Sequence, residues 1–255
     1  MQTRCFGRLP VFWLTLVLFL TGGVTLSAAT EVSRQSELKF EREIRKTLSA
    51  DYLLYLPKQY DAEPEKHWPL IIFLHSSGER GEDISKVARH GPPHLIEQGK
   101  DFPFIIVSPL CPHDNWWNLE MLNAFYDTVL ETYRVDPDRV YLTGLSMGGF
   151  GTWNWAVQNP EKFAAIAPIA SWGPNKNFKP LVDMPIWAVH GEKDQAVKLH
   201  DAQKVINAIK EAGGDPRFTI YKGAGHNVWS RTYEDPEFYQ WLLSHSKEKQ
   251  IEVKE

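Results

Sequence analysis

A serine set between glycines, followed downstream by an acid and then a histidine, is the part of this chain able to do covalent chemistry. Gly144-Leu145-Ser146-Met147-Gly148-Gly149 follows the apolar run Val140-Tyr141-Leu142 and opens directly into a helical pattern. A serine on such a strand-to-helix turn has its hydroxyl pushed out beyond the sheet, the form of a nucleophile elbow. Gly144 and Gly148 stand where side chains would crowd the turn, and Gly149 would let the helix approach the strand closely. The helix start behind Ser146 gathers unpaired backbone N–H groups, which suit a developing oxyanion.

An acyl-transfer serine also needs a base, an orienting carboxylate and two oxyanion donors. Val189-His190-Gly191-Glu192-Lys193-Asp194 places an acid just past a buried apolar run. Gly223-Ala224-Gly225-His226 does the same for a histidine. Both fall at carboxyl ends of expected strands, the edge where open α/β sheets hold their sites. The expected roles are Ser146 as nucleophile, His226 as base and Asp194 as its orienting acid. Asp183 or Glu192 could replace Asp194, and His200 or His190 could replace His226. The N–H of Met147 is one expected oxyanion donor. The other belongs to His75-Ser76-Ser77-Gly78, with Ser76 first and Ser77 second. Glu79-Arg80 reads as an ion pair holding that loop.

The surrounding pattern supplies the scaffold. Tyr52–Leu56, Pro69–Leu74, Phe104–Val107, the elbow strand, Phe163–Ile169, Ile186–Val189 and Phe218–Tyr221 read as strands, several of them continuous apolar runs suited to burial on both faces. Asp136-Pro137-Asp138 reads as the turn leading into the elbow strand. Leu119, Leu122, Tyr126, Val129 and Tyr133 recur at helical spacing behind Asn118. Ala202, Val205, Ile206 and Ile209 mark a second helix, and Asp235-Pro236 starts a last one with Phe238, Trp241 and Leu242 inward. Strands alternating with helices imply a mostly parallel sheet with helices on both faces. Ser171 to Pro185 is too short for a large lid, so an open site is expected. Trp116, Trp117, Trp172 and Trp229 fall on loops expected after strands on the catalytic side, either as walls of a cleft for a flat ring or sugar face or as core packing.

The chain has 255 residues, a formal charge of −4 and two cysteines. No basic patch suggests nucleic acid. Arg4, Arg8, the apolar run Val11 to Leu20 and the small residues Leu26-Ser27-Ala28-Ala29 read as a secretory signal peptide over residues 1–29. A single catalytic domain over 30–255, exported to the periplasm or the medium with no stable membrane span after cleavage, is the corresponding expectation. Glu31 to Lys46 reads as a surface lead-in or an edge strand. Cleavage would leave Cys111 alone, unable to close an internal disulfide and expected as a buried small hydrophobe. The cysteine patterns of structural zinc are absent.

Several of these stretches together resemble a known family: Leu74-His75-Ser76-Ser77-Gly78-Glu79-Arg80-Gly81, Trp116-Trp117-Asn118, the run from Asp136 to Gly151, and His190-Gly191-Glu192-Lys193-Asp194. They look like secreted esterases of the α/β-hydrolase superfamily, of the predicted-peptidase and phospholipase-carboxylesterase type, related to feruloyl, acetylxylan and polyhydroxybutyrate-depolymerase esterases. The resemblance covers about residues 45–245. It implies an α/β-hydrolase fold without a large lid domain and hydrolysis of carboxylic esters through an acyl-enzyme. It also implies no metal and no cofactor, with a small-molecule or polysaccharide-linked ester as substrate. Two departures stand out. The family's usual His-Gly is His75-Ser76 here, and Ser146 stands where dienelactone hydrolases proper carry cysteine. A peptidase of prolyl-oligopeptidase type fits the same triad, and a binding module on a hydrolase scaffold is the non-enzymatic alternative.

Overall fold

Seven apolar runs of strand length pair into one sheet, and the pairing order decides where the chemistry can sit. The computed structural model describes residues 39–247. The expected signal peptide, residues 1–29, lies outside the described residues. The chain divides into a unit ending at Arg45 and one beginning at Lys46. Of the first, Lys39 to Arg45 is almost wholly exposed and without helix or strand, so this stretch is a lead-in rather than an edge strand.

Among the described residues, the second unit holds every α-helix and β-strand. In chain order these are β1 (Tyr52–Tyr55), β2 (Trp68–Leu74), α1 (Gly91–Glu97), β3 (Ile105–Pro109), α2 (Leu119–Thr132), β4 (Val135–Leu145) and α3 (Met147–Gln158). They continue with β5 (Ala165–Ile169), β6 (Trp187–Gly191), α4 (Leu199–Glu211), β7 (Arg217–Tyr221), α5 (Trp229–Glu234) and α6 (Pro236–Leu243). The sheet order is β1-β3-β2-β4-β5-β6-β7. Only β1 runs antiparallel, on the edge against β3; the other pairs are parallel. The chain runs from β2 out to β3 and then crosses back to β4 on the other side of β2. That reversal opens a crevice at the carboxyl ends of β2 and β4, the usual place for a site in an open α/β sheet.

Alternation along the strands splits the core between two faces. Leu70, Ile72 and Leu74 of β2 with Val140 and Leu142 of β4 meet α2, α3 and α4 through Leu122, Val129, Trp153, Trp155 and Ile206. Ile71 and Phe73 with Tyr141 and Leu145 meet α1, α5 and α6 through Leu95, Tyr233, Phe238 and Leu242. All seven residues of β2 are buried, as a central parallel strand requires. Burying such a side chain contributes roughly 1.5–3 kcal/mol, so the strand beside the site belongs to the firmest part of the sheet. Asn118 caps α2 by accepting the Met121 N–H, and Asp235 caps α6 by accepting the Glu237 N–H.

Two sequence expectations change in detail. Asp136-Pro137-Asp138 lies inside β4, yet its turn character survives: Trp68 pairs with Val135 and Leu70 with Val140, so residues 136–139 bulge out of the β2 pairing. Proline there costs no ladder bond because the ladder is already interrupted. Trp241 is only partly buried, while Phe238 and Leu242 point inward. The short helices α1 and α5 had no clear period, since one turn or two cannot display one. The segment from Ser171 to Pro185 carries a single 3-10 turn, Lys179–Leu181, and no lid helix. Among the described residues, no helix is long and apolar enough to cross a membrane.

Candidate active site

Ser146 sits between β4 and α3 with φ 53° and ψ −113°, a left-handed backbone that L-residues rarely adopt. Such strain costs roughly 1–3 kcal/mol and persists only where neighbours over-determine it. Here the Ser146 N–H donates to Ile169 O at 2.9 Å, and the Phe150 N–H donates to Ser146 O at 2.9 Å. The turn also demands close backbone approach. A Cβ on Gly148 would stand 1.9 Å from Leu74 O, and one on Gly144 would stand 2.5 Å from the Gly148 carbonyl carbon. The expected roles of these glycines are thereby given a steric cause: β2, β4 and α3 converge here without room for a methyl group. The next residue, Met147, is the first of α3, where no helical acceptor exists for its N–H.

His226 follows β7 in a loop pinned to the end of β6 by the Lys193 N–H, which donates to Ala224 O at 2.8 Å. Its Nε2 lies 3.0 Å from Ser146 Oγ, and its Nδ1 lies 2.7 Å from Asp194 Oδ2. The carboxylate can only accept, so Nδ1 carries the proton and Nε2 is free to accept from the serine. Asp194 is buried, and its Oδ1 accepts the N–H groups of Ala196 and Val197, both at 2.9 Å. The alternatives stand elsewhere. Glu192 Oε2 accepts the Gly223 N–H, Asp183 lies on the connector between β5 and β6, and His200 belongs to α4. His190 is buried at the end of β6 and donates through Nε2 to Val197 O at 2.9 Å, with Asp194 Oδ2 3.3 Å away. Burial holds the His190 pKa below its ordinary value. A neutral His190 therefore braces the loop that carries Asp194.

The loop after β2 is organised by two buried groups. His75 donates through Nδ1 to Ser76 O at 2.6 Å and accepts the Cys111 N–H at Nε2, 2.9 Å away, which fixes one neutral tautomer. Burial lowers its pKa to about 4. Glu79, also buried, accepts the Ser76 N–H at 3.0 Å, and burial raises its pKa. The Ser76 amide, first choice as second oxyanion donor, is thus engaged with a carboxylate. Ser77 opens the 3-10 turn Ser77–Glu79. Ser76 has φ −82°, so serine replaces glycine there without strain. Glu79 and Arg80 do not pair with each other. Arg80 donates to Ser77 O and Asn115 O, while Glu79 turns inward with His90 Nε2 3.9 Å away. Cys111 is buried and its thiol pKa is pushed by burial to about 11, as suits a packing residue.

The four tryptophans separate into two kinds. Trp117 is buried, meets His75 edge-on at 4.9 Å and leaves no room for a side chain at Gly151. Trp229 is not on a loop: it starts α5, is buried, and meets the His226 ring edge-on at 5.1 Å. Trp116 is 52% exposed and joins Phe150 and Trp172 in a cluster with ring centroids 5.3–6.1 Å apart. Phe150 was not singled out from sequence. Its signal was its place four residues after Ser146, one turn along α3 and on the same side. Ala170 has φ 49° and turns the chain after β5, bringing Ser171 against Gly149.

Several known proteins are similar to this chain. The sequence model of the dienelactone hydrolase family matches residues 116–247. A bifunctional acetylxylan esterase/xylanase of Neocallimastix patriciarum is 32% identical over 153 residues, covering 56% of this chain and 22% of that protein. A probable feruloyl esterase C of Aspergillus niger is 24% identical over 191 residues, covering 71% of this chain and 69% of that protein. The crystal structure of a thermostable esterase aligns with a TM-score of 0.69 at 31% identity, covering 77% of this chain and 59% of that one. The chain spans 22% to 44% of the length of three of the curated relatives it matches. The mostly parallel seven-stranded sheet is that of an α/β-hydrolase. By the family match across more than half its length, the chain belongs to the dienelactone hydrolase family.

Proposed function

We propose that this protein is an exported serine carboxylic-ester hydrolase that works through an acyl-enzyme. The observation that carries the reading is the line from Ser146 Oγ to His226 Nε2 at 3.0 Å and from His226 Nδ1 to Asp194 Oδ2 at 2.7 Å. His226 takes the serine proton as Ser146 attacks the ester carbonyl, then returns it to the departing alcohol. Water repeats the sequence on the acyl-enzyme. Asp194 keeps the proton on Nδ1 and stabilises the imidazolium that forms in each step. The Met147 N–H is one oxyanion donor. With the Ser76 N–H held by Glu79, the second donor is assigned to Ser77.

Acetyl or feruloyl esters of plant polysaccharide are the proposed substrates. The cluster of the exposed Trp116 with the half-buried Phe150 and Trp172 at the start of α3 supports them, since such rings suit a flat phenolic or sugar face. The acetylxylan and feruloyl esterases among its relatives point the same way. Export rests on the signal-peptide pattern of residues 1–29. The test is hydrolysis of a p-nitrophenyl acyl series beside methyl ferulate and acetylated xylo-oligosaccharide, with Ser146→Ala as control. Activity lost in the variant is expected. Cleavage of proline-containing peptides with no ester hydrolysis would move the assignment to a peptidase.

A further inference from the structure

A groove of about 600 Å³ lies between the segment after β5 and the first turns of α4. Its size falls in the ~300–1,000 Å³ range of small-ligand sites. It is joined to the candidate active site at two points. Trp172, in its wall, also belongs to the aromatic cluster with Phe150. Ala196 and Val197, also in its wall, are the residues whose N–H groups hold Asp194 Oδ1. No triad residue lines the groove, so the attack on the ester makes no use of this space.

The lining has a definite chemistry. Trp172 and Phe178 offer aromatic faces, Asn175 an amide, and Lys176, Lys198 and Lys204 positive charge. Asp201 is the one acid of the lining, and Lys204 sits 3.3 Å from it. Among the described residues neither Lys176 nor Lys198 forms an ion pair; Lys198 Nζ donates to the neutral Gln195 Oε1 at 2.8 Å. Two unneutralised lysines in one groove run against a chain whose formal charge is −4. Lys198 is also the N-cap of the 13-residue helix α4 and gives it no side-chain cap. The helix dipole there favours an anion, and the first turn of α4 already carries Asp201.

We propose that this groove binds a carboxylate carried by the substrate away from the scissile ester, a deepening that rests on the esterase reading above. The aromatic faces favour a uronic acid on the sugar side of the ester. A free carboxylate at the far end of a dicarboxylic acyl chain has the same charge, so the experiment separates the two sources.

Binding is measured on the full chain carrying Ser146→Ala, so that it does not depend on turnover. One ligand pair is a xylo-oligosaccharide with and without a glucuronate branch; the other is monoethyl adipate against ethyl hexanoate. The acidic member of a pair binds about tenfold more tightly at low salt, as two weakly screened surface charges allow. That ratio falls towards one in the Lys176→Gln/Lys198→Gln variant and in 0.5 M salt. Preference within the sugar pair assigns a uronate, and preference within the adipate pair assigns an acyl carboxylate. Equal affinity within both pairs, or a preference that survives the double substitution, overturns the proposal. Ester turnover by the parent chain is read separately, and its absence would remove the esterase reading while leaving the binding ratio to be judged on its own.

Discussion

The indole of Trp229 meets the imidazole of His226 edge-on, with centroids 5.1 Å apart and planes at 87°. Its other neighbour is His90, at 5.5 Å, itself 3.9 Å from the buried Glu79 carboxylate. Trp229 therefore stands between the proposed base and the loop proposed to supply the second oxyanion donor. Removing it takes away a wall that fixes the ring, as well as core volume. Trp229→Ala should destabilise the fold by about 3 kcal/mol and lower kcat more than it raises KM. Trp229→Phe keeps an aromatic edge there and should recover most of kcat. Urea unfolding and steady-state kinetics on p-nitrophenyl acetate measure both.

The proposed chemistry concentrates in three side chains that act as a unit, so single losses should be severe and non-additive. Ser146→Ala should abolish turnover, and Asp194→Asn should lower kcat by about 10⁴. The asparagine variant keeps an oxygen for the Ala196 and Val197 amides but offers an uncharged partner to His226. A double variant should be scarcely slower than Ser146→Ala alone. A much slower double variant would mean that Asp194 contributes independently of Ser146.

Gly148 tests the elbow itself. A methyl group there meets the Leu74 carbonyl oxygen at 1.9 Å, and β2, buried along its whole length, leaves that oxygen no room to retreat. Gly148→Ala should cost more than about 3 kcal/mol. A urea midpoint within experimental error of the parent would show that the turn is looser than this geometry.

Stability should fall as pH drops from 7 to 4. His75 has a folded pKa of about 4 against 6.5 for a free histidine, because burial disfavours its charged form. Its neutral form is at full benefit above pH 6.5. Below that value the unfolded chain takes up a proton that the fold excludes, so stability is lost until pH reaches the folded pKa. The loss is about 3 kcal/mol for this group. His190, lowered for the same reason, adds in the same direction. Glu79 has the opposite sign, since its raised pKa makes protonation relieve a folded-state cost. Urea titrations across this range check the slope, and His75→Gln should flatten it.

The aromatic cluster around the exposed Trp116 should read the acyl group. Trp116→Ala should raise KM for methyl ferulate about fivefold, the scale of one lost ring contact, with a smaller effect for p-nitrophenyl acetate. Equal effects on both esters would assign Trp116 to general cleft shape.

The elbow, the acid and the histidine were legible because each follows a strand-length apolar run, and a strand end fixes where its next residues emerge. The order serine, acid, histidine and the parallel class follow from the same alternation. Sequence also carried the tight glycines at 144 and 148, since only a side-chain-free backbone lets three elements converge there. Ser76-Ser77-Gly78-Glu79 has the spacing of a capping box, although Glu79 beside Arg80 equally suggests an ion pair, and the structure decides between the two. The Ser76 N–H is claimed by Glu79, three residues on, in a local capping-box contact whose carboxylate is buried with His90 3.9 Å away. Sequence could not sort four tryptophans of equal hydrophobicity. Trp117 and Trp229 became core because His75 and His226 pack against them, while Trp116 and Trp172 were left at the rim. Local chemistry and periodicity are properties of neighbours in the chain; burial and hydrogen-bond occupancy are properties of neighbours in space, and only the tertiary structure decides those.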